Sequence, residues 1–163
     1  MKPLTEREIR SAFVNCSKGE SKRLSVPRDL ADRPWGDLDF LGWRDPQAPD
    51  RAYLVMESGA GHIGIQLRST AAGSSQTRRS MCSMCVTVHT GGVSLLVAPK
   101  PGKAGKQGNS VGAYMCTDLA CSLYVRGKKD AGVGGRLRES LSLEQQIERT
   151  VANLAAFIAK VTA

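Results

Sequence analysis

"MCSMC", from Met81 to Cys85, and "YMCTDLAC", from Tyr114 to Cys121, decide how this chain folds, because together they bring four thiols in two close pairs. Cys82 and Cys85 form a C-x2-C turn, which presents two sulfurs to one metal ion with little rearrangement of the backbone. Cys116 and Cys121 form C-x4-C, wider than the usual spacing. A metal site, two disulfides and ordinary core packing are the three readings to weigh.

The compartment separates them. The opening stretch, "MKPLTEREIRSAF", is charged and helix-patterned, and it has no continuous apolar run of signal-peptide or membrane-spanning length. A cytoplasmic protein without a membrane partner is therefore expected. Disulfides are rare in a reducing cytosol, so the cysteines Cys82, Cys85, Cys116 and Cys121 are expected to hold one structural zinc ion. His89, four residues after Cys85, is the substitute ligand, although a hairpin position explains it equally simply. Cys16 is remote from the others and reads as a small apolar residue at a helix end.

Outward from the thiols, the order is a cysteine knuckle, a strand at "VSLLVAP", a basic glycine loop at "KPGKAGKQGNS", a short strand at "VGAYM", and then "CTDLACSLYV". The last segment is expected to be a helix of about three turns with Leu119 and Leu123 on one face, and Cys116 near its start. That order is the arrangement of a treble-clef zinc finger.

Upstream, "TERE" at Thr5–Glu8 is a capping box, which predicts a first helix to about Cys16 with Ile9 and Phe13 on its apolar side. "SKGESKRLSVP" breaks that pattern, and the turn-rich stretch after it carries Trp35 and Trp43, expected to be core anchors. "RAYLVME" and "HIGIQLR" around "SGAG" predict a hairpin with one buried face, to which Tyr53, Val55, Ile63, Ile65 and Leu67 contribute. A Ser-, Thr- and Ala-rich loop is expected from Ser69 to Ser80. Downstream, "SLEQ" at Ser142–Gln145 opens a terminal helix whose stripe runs through Leu143, Ile147, Val151, Leu154 and Ile158, with Phe157 beside it. The expected fold is α+β over a single domain, residues 1–163: an antiparallel sheet with N- and C-terminal helices and a treble-clef-type four-cysteine zinc finger.

Charge is unevenly placed. Lys and Arg exceed Asp and Glu by 23 to 15, and seven of the eight surplus charges lie between Gln76 and Arg136, where nine bases face two acids. Such local enrichment marks a surface for an acidic partner. If that partner is nucleic acid, for instance ribosomal RNA, Arg78, Arg79, Lys100, Lys103, Lys106 and Lys129 are the phosphate-contacting candidates, although few aromatics lie in the segment to stack on bases.

Enzyme signatures fail on their own terms. "GNSVG" fits the G-x-S-x-G elbow, but no histidine follows it in the chain. "GKAGKQG" has the wrong spacing for a phosphate loop, and neither His62 nor His89 starts the H-x-E of a zinc deaminase. No catalysis and no small-molecule substrate are expected.

"FLGW" at 40–43, the hairpin after it, "MCSMC", "VSLLV", "GAYMC" with its C-x4-C, and the terminal "FIAKV" together resemble one family, in order and along nearly the whole chain. It is the fusidic-acid-resistance proteins that bind elongation factor G, and the similarity is to their C-terminal treble-clef zinc domain, without their N-terminal helical bundle. The resemblance implies a non-enzymatic partner that docks on elongation factor G and promotes its release from drug-stalled ribosomes. It carries the four metal cysteines onto Cys82, Cys85, Cys116 and Cys121. At the family's elongation-factor contact, Tyr114 and Phe157 match, whereas Met81 stands for an aromatic residue and Val111 for a lysine. Arg126 and Lys128 add the basic rim expected beside aromatic anchors on an acidic partner.

Overall fold

Each of the longer helices begins where a side chain satisfies its first free N–H groups. In the computed structural model, which describes residues 1–59, 61–70 and 78–163, α1 spans Glu6–Ala12. Thr5 Oγ1 accepts from the Glu8 N–H at 3.3 Å, and the Glu8 carboxylate accepts from the Thr5 N–H at 2.8 Å. This helix ends sooner than the expected Cys16. Phe13 leaves it to bridge Gly64, and the Val14 N–H donates to the Gly64 carbonyl at 3.0 Å.

The stretch expected to be irregular contains a second short helix, α2, Lys18–Arg23. It has its own capping box, Ser17 with Glu20, written in the sequence as S-x-x-E but without an apolar stripe behind it. Two single 3-10 turns follow at Leu30–Asp32 and Trp35–Asp37. Both tryptophans are core anchors, with Trp35 Nε1 donating to the Leu30 carbonyl and Trp43 Nε1 to that of Ser25, each at 2.7 Å.

Strands β1 (Phe40–Arg44), β2 (Arg51–Ser58) and β3 (Gly61–Ser69) form an antiparallel meander. After it come a small ribbon of β4 (Arg79–Met81) and β5 (Val88–Thr90), then β6 (Val93–Pro99) and β7 (Ser110–Cys116). The main sheet runs β1-β2-β3-β6-β7, with β4 and β5 paired separately. The basic loop between β6 and β7 holds a one-turn helix, α3, Gly102–Lys106. Most of the loop expected from Ser69 to Ser80 lies outside the described residues, as does Ala60 in the hairpin turn.

The hairpin is where the sequence reading needs correction. Tyr53 pairs with Gln66 and Val55 with Gly64, while Leu54 pairs with Ile65 and Ala52 with Leu67. Partners across a strand pair share a face, so Tyr53 and Val55 point one way, and Ile63, Ile65 and Leu67 the other. Both faces are covered, and Ala52 through Met56 are all buried. One face, continued by Leu41 and Trp43 of β1, packs on Ile9 and Trp35 of the N-terminal segment. The other packs on the cysteines and the terminal helix.

The helix expected through "CTDLACSLYV" is also shorter. Cys116 closes β7, and α4 spans only Cys121–Val125. Between them the Leu119 N–H donates to the Cys116 carbonyl at 2.9 Å, and Leu119 takes the left-handed φ of 56°. No helix continues through that conformation. Leu119 therefore joins the zinc-side cluster and Leu123 packs against the other. A bidentate pair of Arg126 with Asp39, at 2.7 and 2.8 Å, ties the end of α4 to the entrance of β1.

The terminal helix α5, Leu143–Thr162, has the expected Ser142–Gln145 cap and buries Leu154, Phe157, Ile158 and Val161. Leu143, 40% exposed, starts it outside the core. No helix among the described residues is long and apolar enough to cross a membrane.

Gly42 shows how closely the zinc turn sits on the sheet. A Cβ there would lie 2.5 Å from Leu119 Cβ and 3.0 Å from its carbonyl oxygen. Gly42→Ala is expected to cost about 1–3 kcal/mol by overpacking, read as a lower denaturant midpoint with unchanged slope in the zinc-loaded protein.

Candidate metal centre

Four sulfurs from three pieces of backbone meet behind the sheet. Cys82 and Cys85 flank the turn that links β4 to β5, Cys116 ends β7, and Cys121 is the first residue of α4. The helix start belongs to Cys121, not to Cys116 as the sequence suggested. The first turn is closed by the Val86 N–H on the Cys82 carbonyl at 3.0 Å, and by the Cys82 N–H on that of Thr87 at 2.9 Å. It requires a left-handed backbone at Val86, φ 61°.

The sulfur geometry fits a tetrahedral ion. Bonds of about 2.3 Å to zinc place neighbouring sulfurs about 3.8 Å apart. Cys82 and Cys121 lie 3.7 Å apart, Cys85 and Cys116 3.5 Å, and all four ligand atoms fall within 4.8 Å of one another. All are buried, and every cysteine in the chain is a free thiol, which removes the disulfide reading. The four cysteines form a zinc-binding site, and four thiolates close its coordination, the hallmark of a structural ion. Half-buried Cys16 lies far from it, beside α2.

Hydrogen bonds from Cys116 and then Cys121 hold the Cys82 thiol well below its ordinary value, whereas hydrogen bonding to Cys116 and complete burial push Cys121 well above. Only an ion of opposite charge lets all four lose their protons together.

A second layer orients these ligands. The Met84 N–H donates to Cys82 Sγ at 3.4 Å, Thr87 Oγ1 lies 2.9 Å from Cys85 Sγ, and His89 Nε2 lies 3.4 Å from Cys116 Sγ. His89 thus stands beside the ligands rather than among them. Its Nε2 is also 2.9 Å from Thr87 Oγ1, and burial lowers its pKa. The ring meets Tyr124 edge-on at 4.5 Å, and the Tyr124 hydroxyl donates to Asp118 at 2.8 Å. Burial works against the Asp118 carboxylate, but hydrogen bonds from Lys129, the Ala120 N–H and Tyr124 outweigh it and lower its pKa. Thr87 was not singled out from the sequence, although T-x-H directly after the knuckle puts Thr87 and His89 on alternate residues leading into β5.

Two hydrogen bonds mount the knuckle on its neighbours. The Ser83 N–H donates to the Tyr114 carbonyl at 2.7 Å, and Asn153 Nδ2 of α5 to that of Met84 at 2.9 Å. Between β7 and α5 this leaves a groove of about 410 Å³ lined by Met84, Val111, Tyr114, Asn153, Phe157 and Lys160, among others. Three of the candidate partner residues, Val111, Tyr114 and Phe157, therefore share one surface. Tyr114 is 49% exposed there and Phe157 only 4%. Met81, 47% exposed, stands at the end of β4. Arg126 and Lys128 lie elsewhere, bonded to Asp39 and Asp37.

The basic candidates are dispersed. Arg79 donates to the Gly134 carbonyl, Lys100 to the carbonyl oxygen of Ala163, and Lys129 to Asp118. Arg78 is exposed just before β4, and Lys103 and Lys106 are exposed on α3.

Residues 8–161 match the family described as FBP C-terminal treble-clef zinc-finger. No curated protein matches the sequence.

Metal analysis of the purified chain is expected to give one zinc, and Cys85→Ser to lose it together with native circular dichroism. Thr87→Val, which removes only the hydroxyl beside Cys85, is expected to weaken zinc by about 10–100-fold in a chelator competition. Protons compete for the same sulfurs, so affinity falls as pH falls.

Proposed function

This chain belongs to the FBP C-terminal treble-clef zinc-finger family, and from that membership we propose that it is a non-enzymatic docking protein for elongation factor G, modulating the factor's release from the ribosome. Zinc makes the platform and the protein surface makes the contact. Tyr114 is the observation that carries this reading: a large aromatic side chain, half exposed, on the strand whose backbone holds the zinc knuckle. Interface hot spots are aromatic anchors presented on rigid supports, with charge nearby to match the partner. Lys160 supplies a cation at the same groove.

Phe157 has a different role from Tyr114. It is buried in the core cluster with Leu154 and Ile158, so it shapes the groove from beneath. Val111 and Met81, which depart from the family's lysine and aromatic, leave the contact more apolar and set its affinity and orientation. Ribosomal RNA is the alternative partner. Lys103 and Lys106 on α3 favour it, but the protein bonds made by Arg79, Lys100 and Lys129 weaken a continuous phosphate track.

Immobilised zinc-loaded protein is expected to retain purified elongation factor G at low salt, and failure to do so sinks the proposal. Tyr114→Ala is expected to lower that affinity about ten-fold or more with zinc content intact. Phe157→Ala is expected to act through stability, costing about 3–5 kcal/mol in denaturant titrations.

A further inference from the structure

β7 is an edge strand of the main sheet, with β6 on one side of it only. Positions along an antiparallel strand alternate between those that exchange N–H and C=O with the partner and those whose main-chain groups face away. The alternation is fixed at both ends of this pair, where the Lys100 N–H donates to the Asn109 carbonyl and the Thr117 N–H to that of Gly92, each at 2.9 Å. Counted inward from either end, Ser110, Gly112 and Tyr114 are the positions that face away from β6. Tyr114 bears this out, since its carbonyl accepts from the Ser83 N–H at 2.7 Å across the outer edge.

Ser83 is thus the first rung of a neighbouring strand that the knuckle does not continue. Beyond it, Gly112 and Ser110 are exposed, and their outward main-chain groups make no hydrogen bond among the described residues. A sheet edge is a template for a further strand, and lysine, proline or a bulge is the usual guard against one. Ser110 to Tyr114 holds no lysine, no proline and no left-handed residue. The groove of about 410 Å³ follows this edge, with Ala156, Phe157 and Lys160 of α5 as its other wall. Lys160 is the one charged residue in that lining, and no carboxylate opposes it there.

We propose that the partner docks here by strand addition: an extended segment carrying a carboxylate lies along β7, exchanges main-chain hydrogen bonds with Gly112, and sets its carboxylate toward Lys160. The inference rests on the docking function above and specifies how the contact at Tyr114 is made. Main-chain pairing supplies affinity, and alternate side chains supply specificity. Those on one side of the segment meet Tyr114 and its cross-strand neighbour Leu95, and those on the other meet Val111 and Phe157. A second copy of this chain fits less well, because it brings its own Lys160 and a net charge of +8 against the same.

Gly112→Pro tests the main-chain contact directly. It removes one outward N–H, and edge strands accept proline where that N–H faces solvent, so zinc content is expected to hold. Purified elongation factor G is titrated at low salt onto the immobilised, zinc-loaded full chain. Gly112→Pro is expected to weaken binding about ten-fold or more. Gly112→Ala keeps the N–H and brings its Cβ within 3.3 Å only of the flexible end of Leu95, so it is expected to lose less. Lys160→Glu is expected to weaken binding about five-fold or more. In the complex, hydrogen exchange of the Gly112 amide is expected to slow about ten-fold or more. Unchanged affinity in Gly112→Pro, or unchanged exchange at Gly112 in a complex that forms, overturns strand addition and leaves the docking function standing. Failure of the unsubstituted chain to bind overturns both. If Gly112→Pro loses its zinc, or Gly112→Ala binds as weakly, exchange at Gly112 decides. A dimer of the free chain that Gly112→Pro abolishes assigns the edge to a second copy and overturns the proposal.

Discussion

The convergence of four sulfurs governs the C-terminal half of this protein. Cys82 and Cys121 are 39 residues apart in sequence and 3.7 Å apart in space. The elements that carry them are small: α4 has five residues, and the β4–β5 ribbon pairs only three residues on each strand. A helix or ribbon that short is not stable by itself. A zinc ion bound by four thiolates contributes on the order of 10–16 kcal/mol, enough to hold such elements against the sheet.

The sheet in turn divides the molecule into two chemistries. Its meander is covered on both sides, by helices and indoles on one and by the metal centre and α5 on the other. Three of the links across the divide gather at β1. Arg126 pairs with Asp39, Ser122 Oγ accepts from the Asp39 N–H at 3.0 Å, and Leu119 rests against Gly42. Each joins the second cysteine pair to the entrance of β1. These contacts add to the mounting that β7 and α5 already give the knuckle.

Much of this was legible in the sequence, for reasons that differ between elements. The metal ligands were readable because thiol chemistry and spacing restrict the alternatives sharply. The Thr5–Glu8 and Ser142–Gln145 caps were readable because capping is local. The two faces of the hairpin were not, because alternation says which residues share a side and not whether the other side is covered as well. Gln66, at a polar position of the pattern, is buried on the covered face, where the Asn15 side chain accepts from its main-chain N–H and donates to its main-chain carbonyl. The length of α4 was hidden for another reason: Leu119 and Leu123 in "CTDLACSLYV" stand at helical spacing, and the left-handed turn at Leu119, where the two sulfurs converge, has no signal in that spacing. Thr87 and His89 look like ordinary strand residues until the fold places them on the sulfurs.

Val86 and Leu119, one in each cysteine turn, occupy backbone that side-chain-bearing residues avoid, at about 1–2 kcal/mol apiece. Neither is the glycine that would make such a turn effortless. The binding loops are consequently cocked like a spring, and the ion is the catch that holds them. Without it, four buried thiols and two strained turns have little to hold them together. A metal-free chain is then not an empty copy of the loaded one, and capture of zinc and formation of the docking surface become one event.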